Sequence, residues 1–348
     1  MFFNLSKSKT NNFPFHYTLD NGLILSTDSG WTQNGDTVSK GYKLQGNKGN
    51  YCSFVSNTKF VNIEHEMDRS FPLWASNDCI TNLYPCGSQV WADSKLTIDS
   101  NMAYTIKKFS PFDIKDDLLD EQVINLLHET LLNTYEEFLS KNTAPLKIFL
   151  SGGIDTTTAW AYLDYFTKKY EIVDYEYVKF TPFYKLNSSA ILKFWGYKQI
   201  HLWDEDCVLV TGSNGDENFL RGPFTLAIAL KQYDLDFKDI LEPDDYHYKY
   251  LLKKQENVDA EFANISNLKE YILNRNINDH QHWHLDRTIT FTPFKDISLL
   301  STILSSSKQL LVKQAKDAYI NKELIRRLDA SKLEVVSNQK NYFQLENT

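Results

Sequence analysis

The run Ser151-Gly152-Gly153-Ile154-Asp155-Thr156-Thr157-Thr158 gathers two glycines, one carboxylate and several hydroxyls into a short stretch. Glycines let backbone N–H groups approach an anion with no side chain in the way, and a helix start behind them favours negative charge. Holding a phosphate is the chemistry this suits. A second set, Gly212-Ser213-Asn214-Gly215-Asp216-Glu217, again joins glycines to carboxylates. If Asp155 and Asp216 face each other across a polyphosphate, they offer Mg²⁺ the hard oxygen ligands it takes. Neither stretch is a Walker P-loop, because no Lys-Ser/Thr follows the glycines, and the Gly-x-Gly-x-x-Gly of a dinucleotide site is missing. Alone, each also reads as an ordinary glycine turn, with Asp216 and Glu217 capping the helix that follows.

Strands and helices must position these turns. Leu146, Ile148, Phe149 and Leu150 have the composition of a buried strand, and Trp160, Leu163 and Phe166 recur at helical spacing after the threonines. Val208-Leu209-Val210 leads into the second turn in the same way. Alternating strands and helices predict a parallel sheet whose carboxyl ends line one crevice. Tyr175 to Phe180 and Ile200 to Trp203 read as further strands, and Ile191 to Phe194 as a helix. Upstream, Asp116 to Lys141 reads as a long amphipathic helix with Val123, Ile124, Leu127, Leu131, Tyr135 and Phe138 as its apolar stripe. Leu230 to Arg275 reads as a polar, solvated helical region.

Residues before about Phe112 are different in kind. Short apolar runs at His16–Leu19, Leu23–Ser26, Tyr51–Val55, Phe60–Ile63, Ile80–Leu83 and Leu96–Ile98 are separated by turns such as Asp20-Asn21-Gly22 and Asn34-Gly35-Asp36. With a linker around Ser110–Asp113, the expected division is a β-rich domain over 1–112 and an α/β domain over 113–348, a length that gives each its own core. A net charge of −8 offers no general attraction to nucleic acid or anionic lipid. Cys52, Cys79, Cys86 and Cys207 form no Cys-x-x-Cys pair, so neither zinc nor a disulfide framework is expected. His247, His280, His282 and His284 match no familiar ligand spacing. The start lacks the apolar core of a signal peptide and no stretch is long enough to span a membrane, which together predict a cytoplasmic protein.

The order Ser-Gly-Gly-x-Asp-Thr resembles the pyrophosphate loop of the N-type ATP pyrophosphatases, which split ATP between its α- and β-phosphates. A third block, Phe291-Thr292-Pro293-Phe294-Lys295-Asp296-Ile297-Ser298-Leu299, looks like the Arg-x-Pro-Phe-x-Asp-x-x-Leu segment of asparagine synthetases. In order and spacing, Leu146 to the C-terminus is similar to that family. The resemblance implies an α+β N-terminal-nucleophile-like sandwich followed by an adenine nucleotide α-hydrolase-like domain with a parallel sheet. It implies ATP and Mg²⁺ as cofactors, nucleotide contacts at Leu150, Ser151, Gly152, Gly153, Asp155, Thr156, Thr157, Gly212, Gly215 and Asp216, and metal binding by Asp155 and Asp216. The reaction implied is adenylation of a small carboxylate and its transfer to an amine, with AMP and pyrophosphate as products.

The chain departs from the family at several positions. Phe2 stands where the family's glutaminase has its nucleophilic cysteine, although Asp68-Arg69-Ser70-Phe71-Pro72-Leu73-Trp74 is similar to a run in that domain. Cys52, Cys79 and Cys86 cannot substitute, since none supplies an α-amino base. The expectation is a sandwich without glutaminase activity, as in the β-lactam synthetase branch, with ammonia or a substrate amino group as acceptor. Ser213 replaces the family's glutamate or tyrosine, and Phe291 replaces its arginine. For the lysine that offsets charge on departing pyrophosphate, Lys332 and Lys340 are both candidates, and Asn338-Gln339-Lys340-Asn341-Tyr342-Phe343 is the closer match to the family's Arg-x-Lys-x-x-Phe. Two other readings stand beside the ligase: an ATP pyrophosphatase that modifies a nucleobase, and a non-catalytic scaffold with a relic nucleotide site. Oligomeric state is left open.

Overall fold

Two compact units make up the chain, the first of Met1–Ser110 with Leu192–Glu205 and Ile277–Thr290, the second of Pro111–Ile191, Asp206–Asn276 and Phe291–Thr348. The computed structural model describes residues 3–11, 13–28, 30–44, 48–65, 73–81, 87–90, 94–108, 118–150, 152–174, 207–212, 215–221, 223–231, 233–263 and 289–336.

Period-two alternation builds the first unit. In the strand Ser94–Asp99, Leu96 and Ile98 point inward while Lys95, Thr97 and Asp99 point out, and Phe60–His65 buries Val61, Ile63 and His65 in the same way. Among the described residues, twelve strands form two antiparallel sheets. The first comprises β1 (Phe3–Ser6), β2 (Phe15–Thr18), β3 (Ile24–Thr27), β8 (Leu73–Ala75), β9 (Cys79–Thr81) and β10 (Ser88–Val90), in the order β10-β8-β9-β1-β3-β2. The second comprises β4 (Thr32–Asn34), β5 (Thr37–Leu44), β6 (Lys48–Ser56), β7 (Phe60–His65), β11 (Ser94–Asp99) and β12 (Tyr104–Lys108), in the order β12-β11-β7-β6-β5-β4. One apolar core joins Phe3, Leu5 and Leu25 of the first sheet to Phe54, Val61, Ile63, Leu96 and Ile98 of the second. Phe3 meets Phe54 edge to face with centroids 4.8 Å apart and Trp31 at 6.1 Å.

The described residues of this unit form a β-sandwich. Outside the second sheet, Glu64 pairs with Lys43 and Lys95, a face that suits water. Outside the first, buried Asn4, Ser6 and Ser26 lie under the chain that follows β1: Asn4 donates to Thr10 Oγ1 at 2.7 Å, Ser6 Oγ to the Ser8 carbonyl at 2.7 Å, and the Thr10 amide to Ser26 Oγ at 3.3 Å. A short polar strap thus lies over these three side chains.

In the second unit, β13 (Leu146–Leu150) is flanked by β14 (Glu171–Asp174) and β15 (Val208–Val210), both parallel to it, and β16 (Ile289–Phe291) completes the order β14-β13-β15-β16. The chain leaves β13 through α2 (Ile154–Phe166) toward β14 on one side, while β15 pairs on the other, so the ends of β13 and β15 flank a topological switch point. The expected strand at 175–180, the helix at 191–194 and the strand at 200–203 lie outside the described residues. Helix α1 (Asp120–Lys141) buries the whole expected stripe, and Tyr135 donates to the Ala159 carbonyl of α2 at 2.7 Å. Two helices, α3 (Gly215–Asn218) and α4 (Pro223–Lys231), follow β15; the expected polar helical region from Leu230 to Arg275 contains α5 (Tyr246–Ala263), and its residues 264–275 lie outside the described residues. Three helices, α6 (Ile297–Leu304), α7 (Lys308–Asp317) and α8 (Tyr319–Asp329), follow β16. No helix among the described residues is long and apolar enough to cross a membrane.

Phe291 shows why an arginine is absent from the third block. Its ring is 1% exposed, stacks on Phe138 with centroids 3.8 Å apart and meets Tyr135 edge to face at 4.9 Å. A guanidinium there would be a buried, unpaired charge. Truncation of Phe291 to Ala is expected to cost about 3–5 kcal/mol, read as a lowered urea midpoint for the second unit.

Candidate functional site

Gly152 opens the first loop with φ +74°, a left-handed conformation glycine adopts without strain, and Gly153 forms the N-cap of α2 in extended backbone. The hydroxyls that follow turn back on the helix. Thr156 Oγ1 and Thr157 Oγ1 both donate to the Gly153 carbonyl at 3.0 Å, and Thr158 Oγ1 to the Ile154 carbonyl at 2.7 Å. These three threonines, buried along the helix, therefore brace its first turn, where the sequence had suggested phosphate donors for Thr156 and Thr157. What the loop presents to an anion is backbone and the positive end of the helix dipole. Leu150 is half-buried at the end of β13; Ser151 and Ser213 lie outside the described residues.

The second loop is pressed against the first. A Cβ on Gly212 would lie 2.5 Å from the Thr156 amide nitrogen, and one on Gly215 would lie 2.6 Å from Asp155 Oδ1. Only glycine allows this seating, so the two glycine turns of the sequence are two halves of one surface. The third block supports it from behind. Thr211 N donates to the Phe291 carbonyl at 3.0 Å, Thr211 and Thr292 share a hydroxyl contact at 3.1 Å, and Asn218 Nδ2 donates to the Phe294 carbonyl at 2.5 Å. Phe294 meets Phe219 edge to face at 5.2 Å. Asp296 caps α6 through Ser298 N at 3.0 Å. The block is thus a buttress for the loop.

Asp155 and Asp216 do converge, and they converge on an arginine. Arg221 Nη1 donates to Asp155 Oδ2 at 2.9 Å and lies 3.3 Å from Asp216 Oδ1. The other Asp155 oxygen accepts from Asn321 Nδ2 at 3.2 Å. Asn321 Oδ1 in turn accepts from Gln314 Nε2 at 3.0 Å, and Gln314 Oε1 from the Ile320 amide at 2.8 Å. Asn321 and Gln314 are buried. Burial opposes the charge on Arg221, but Asp155 and Asp216 outweigh it and raise its pKa, so the guanidinium stays charged. Arg221, Asn321 and Gln314 were not legible as site residues, because no motif or spacing in the sequence sets them apart.

The donors fit Mg²⁺ only in part. An ion riding on polyphosphate needs one or two carboxylates and completes its octahedron with phosphate oxygens and water. Asp216, 49% exposed in its side chain, suits that role. Asp155, expected to share the metal, has both oxygens engaged by Arg221 and Asn321. Among the described residues no group of three or more His, Cys, Asp or Glu side chains could hold a metal by itself.

Lys332 is placed elsewhere. Its Nζ lies 2.7 Å from Asp164 Oδ2 and 3.5 Å from the centroid of the Trp160 ring, and its side chain is 7% exposed. Tyr170 completes the group, donating to Asp164 Oδ1 at 2.6 Å and accepting from Trp160 Nε1 at 2.8 Å. Asp164 follows Asp155 on the same helix by roughly 13 Å of axial rise, so Lys332 is held at the far end of α2 from the glycine loop. Lys340 lies outside the described residues. In the first unit, Phe3 is a core residue, Cys52 is buried in β6, and Cys79 is half-buried in β9; Cys86 lies outside the described residues.

Two outcomes are expected. Replacing Gly212 by Ala drives a methyl into backbone that cannot yield and lowers stability by about 1–3 kcal/mol, measurable by urea unfolding. Burial would raise the Asp164 carboxyl, but hydrogen bonds from Lys168, Lys332 and Tyr170 outweigh it and hold the pKa at about 2, below the ordinary 3.8. The depressed value means that Asp164 stabilises the fold above about pH 4 and that this contribution is lost as pH falls toward about 2. Asp164→Asn removes that part of the acid dependence, seen as a flatter plot of urea midpoint against pH over this window.

No known family model matches the chain, and no curated protein is significantly similar to it. The functional reading rests on the residues and their geometry.

Proposed function

We propose that the second unit is an ATP-dependent, AMP-forming carbon–nitrogen ligase, similar in reaction to asparagine synthetases but without a glutaminase. The observation that supports this best is the seating of Gly212 and Gly215 on Asp155 and Thr156, which merges two loops from neighbouring parallel strands at a switch point. ATP would lie with its phosphates over Gly152, Gly153 and the N-terminus of α2, and Asp216 would meet the magnesium ion it carries. That ion would draw charge from the phosphate oxygens as the bond to pyrophosphate weakens.

A carboxylate oxygen of the acyl substrate attacks the α-phosphorus, the bond to the β-phosphate oxygen breaks, and pyrophosphate leaves. An amine then attacks the acyl carbon and AMP departs with the bonding pair. The preorganised backbone of the first loop needs no reorientation to stabilise charge on the phosphate, which is where most of such a rate enhancement arises. Lys340 is the lysine we assign to the leaving group. The last described residue, Val336, packs against the small cluster of Ile154, Ala161 and Ile325, and Ile154 is the first residue of α2. With Ser213 in place of an acidic residue, the base for the amine is expected from the substrate or from water. A nucleotide-binding scaffold is the second reading, favoured by the engagement of Asp155 with Arg221 and Asn321.

The test is pyrophosphate release from ATP and Mg²⁺ over a panel of small carboxylic acids. Release that needs one acid is expected, with a loss on the order of 100-fold in Lys340→Met or Asp216→Asn. Lys332→Met should lose stability but keep the turnover of its folded fraction. Calorimetric binding of ATP with no release across the panel would favour the scaffold, and no binding at all would end the nucleotide reading.

A further inference from the structure

Arg221 occupies the seam between the loops. Its side chain is 8% exposed and its Nη1 lies within 3.3 Å of both aspartates that the chemistry of polyphosphate would assign to a divalent ion. A buried guanidinium is tolerated only against fixed, opposite charge, because desolvation otherwise disfavours it. Here the charge is fixed with care: Asn321 and Gln314 hold Asp155 from the far side, and the Arg221 amide donates to the Asp216 carbonyl, so guanidinium, backbone and both carboxylates form one assembly. Leu220, immediately before, takes φ +53° while 1% exposed, a conformation that a leucine keeps only where its surroundings enforce it. Asp216 Oδ1 is buried without a hydrogen bond, its nearest cation being Arg221.

We propose that Arg221 is the resident cation of the site, filling the position between Asp155 and Asp216 that a divalent ion would otherwise take and holding the two loops together without metal. Hydrated Mg²⁺ would bind here through carboxylate oxygens, and the guanidinium already lies against one oxygen of each aspartate, at 2.9 and 3.3 Å. The protein alone therefore does not bind Mg²⁺ or Mn²⁺ at this seam. Only the corollary, that a metal enters on a nucleotide and meets Asp216 alone, rests on the ligase reading; the role of Arg221 as resident cation does not.

The experiment uses the full chain with Mn²⁺ and no nucleotide. Wild type and Arg221→Gln are compared by calorimetric titration and by thermal unfolding in EDTA and in Mn²⁺. Wild type is expected to show no ion bound at the seam and an unchanged Tm. Arg221→Gln removes the guanidinium from both carboxylates: it should melt lower in EDTA, regain stability in Mn²⁺, and bind one ion about tenfold or more tightly than wild type. The double variant Arg221→Gln/Asp216→Asn should lose that gain. If Arg221→Gln folds only in Mn²⁺, the ion has replaced the guanidinium and the proposal holds. A folded Arg221→Gln that binds no ion, an Arg221→Gln that fails to fold even with Mn²⁺, or a wild type that binds Mn²⁺ as tightly as the variant would each overturn it. Since no nucleotide is present, the outcome is independent of the pyrophosphate assay.

Discussion

The contact of Gly215 with the Asp155 carboxyl is the constraint on which the second unit's geometry turns. It exists because β13 and β15 are adjacent and parallel, so their carboxyl ends emerge side by side, and because neither Gly212 nor Gly215 carries a side chain to hold the loops apart. Every other feature of the seam follows from that closeness. Two aspartates brought this near each other in a partly dry environment repel, and a cation must intervene. Arg221 supplies it from the same loop as Asp216, and the helices after β16 supply Asn321 and Gln314 to fix the far side of Asp155.

The third block serves the same end by different means. Thr292 to Leu299 contains a turn, a buried ring, a helix cap and the first apolar residues of α6, and its contacts run to Thr211, Asn218 and Phe219 of the second loop. Phe294 and Leu299 are fully buried and Asp296 is spent on Ser298. What reads as a chemical signature in one dimension is, in three, a backing plate for the loop that carries Asp216. The substitution of Phe291 belongs to this logic, since the position faces the α1 stripe through Phe138 and Tyr135.

Much of the fold was legible because it follows periodicity. The alternation in Phe60–His65 and Ser94–Asp99, the stripe of α1 and the apolar runs at Leu146 and Val208 are local patterns that burial imposes on any sequence. The glycine turns were legible as turns, and their pairing followed from strand order. The rest depended on partners remote in sequence. Strand β1, Phe3–Ser6, is short, and only its pairing with β3 and β9 makes it central to its sheet. Thr156 and Thr157 carry hydroxyls suited to phosphate, yet within a helix a carbonyl three or four residues back is the nearer acceptor. Lys332 reads as a charge available for catalysis until the Trp160 face and Asp164 are seen to enclose it. Arg221 carries no pattern at all, because its role is fixed by two carboxylates and not by any spacing.

The polar relay that fixes Asp155 also has a kinetic meaning. Arg221 reaches across 66 positions of the chain to Asp155 and Asn321 across 166, so the seam closes only after the parallel sheet and the last helices have come together. Contacts of such separation form late, since the entropy of closing long loops is lost before they return anything. During assembly the two aspartates are solvated and apart, and their mutual repulsion arises only when the guanidinium that cancels it is arriving. The seam therefore belongs to the later stages of the second unit's assembly.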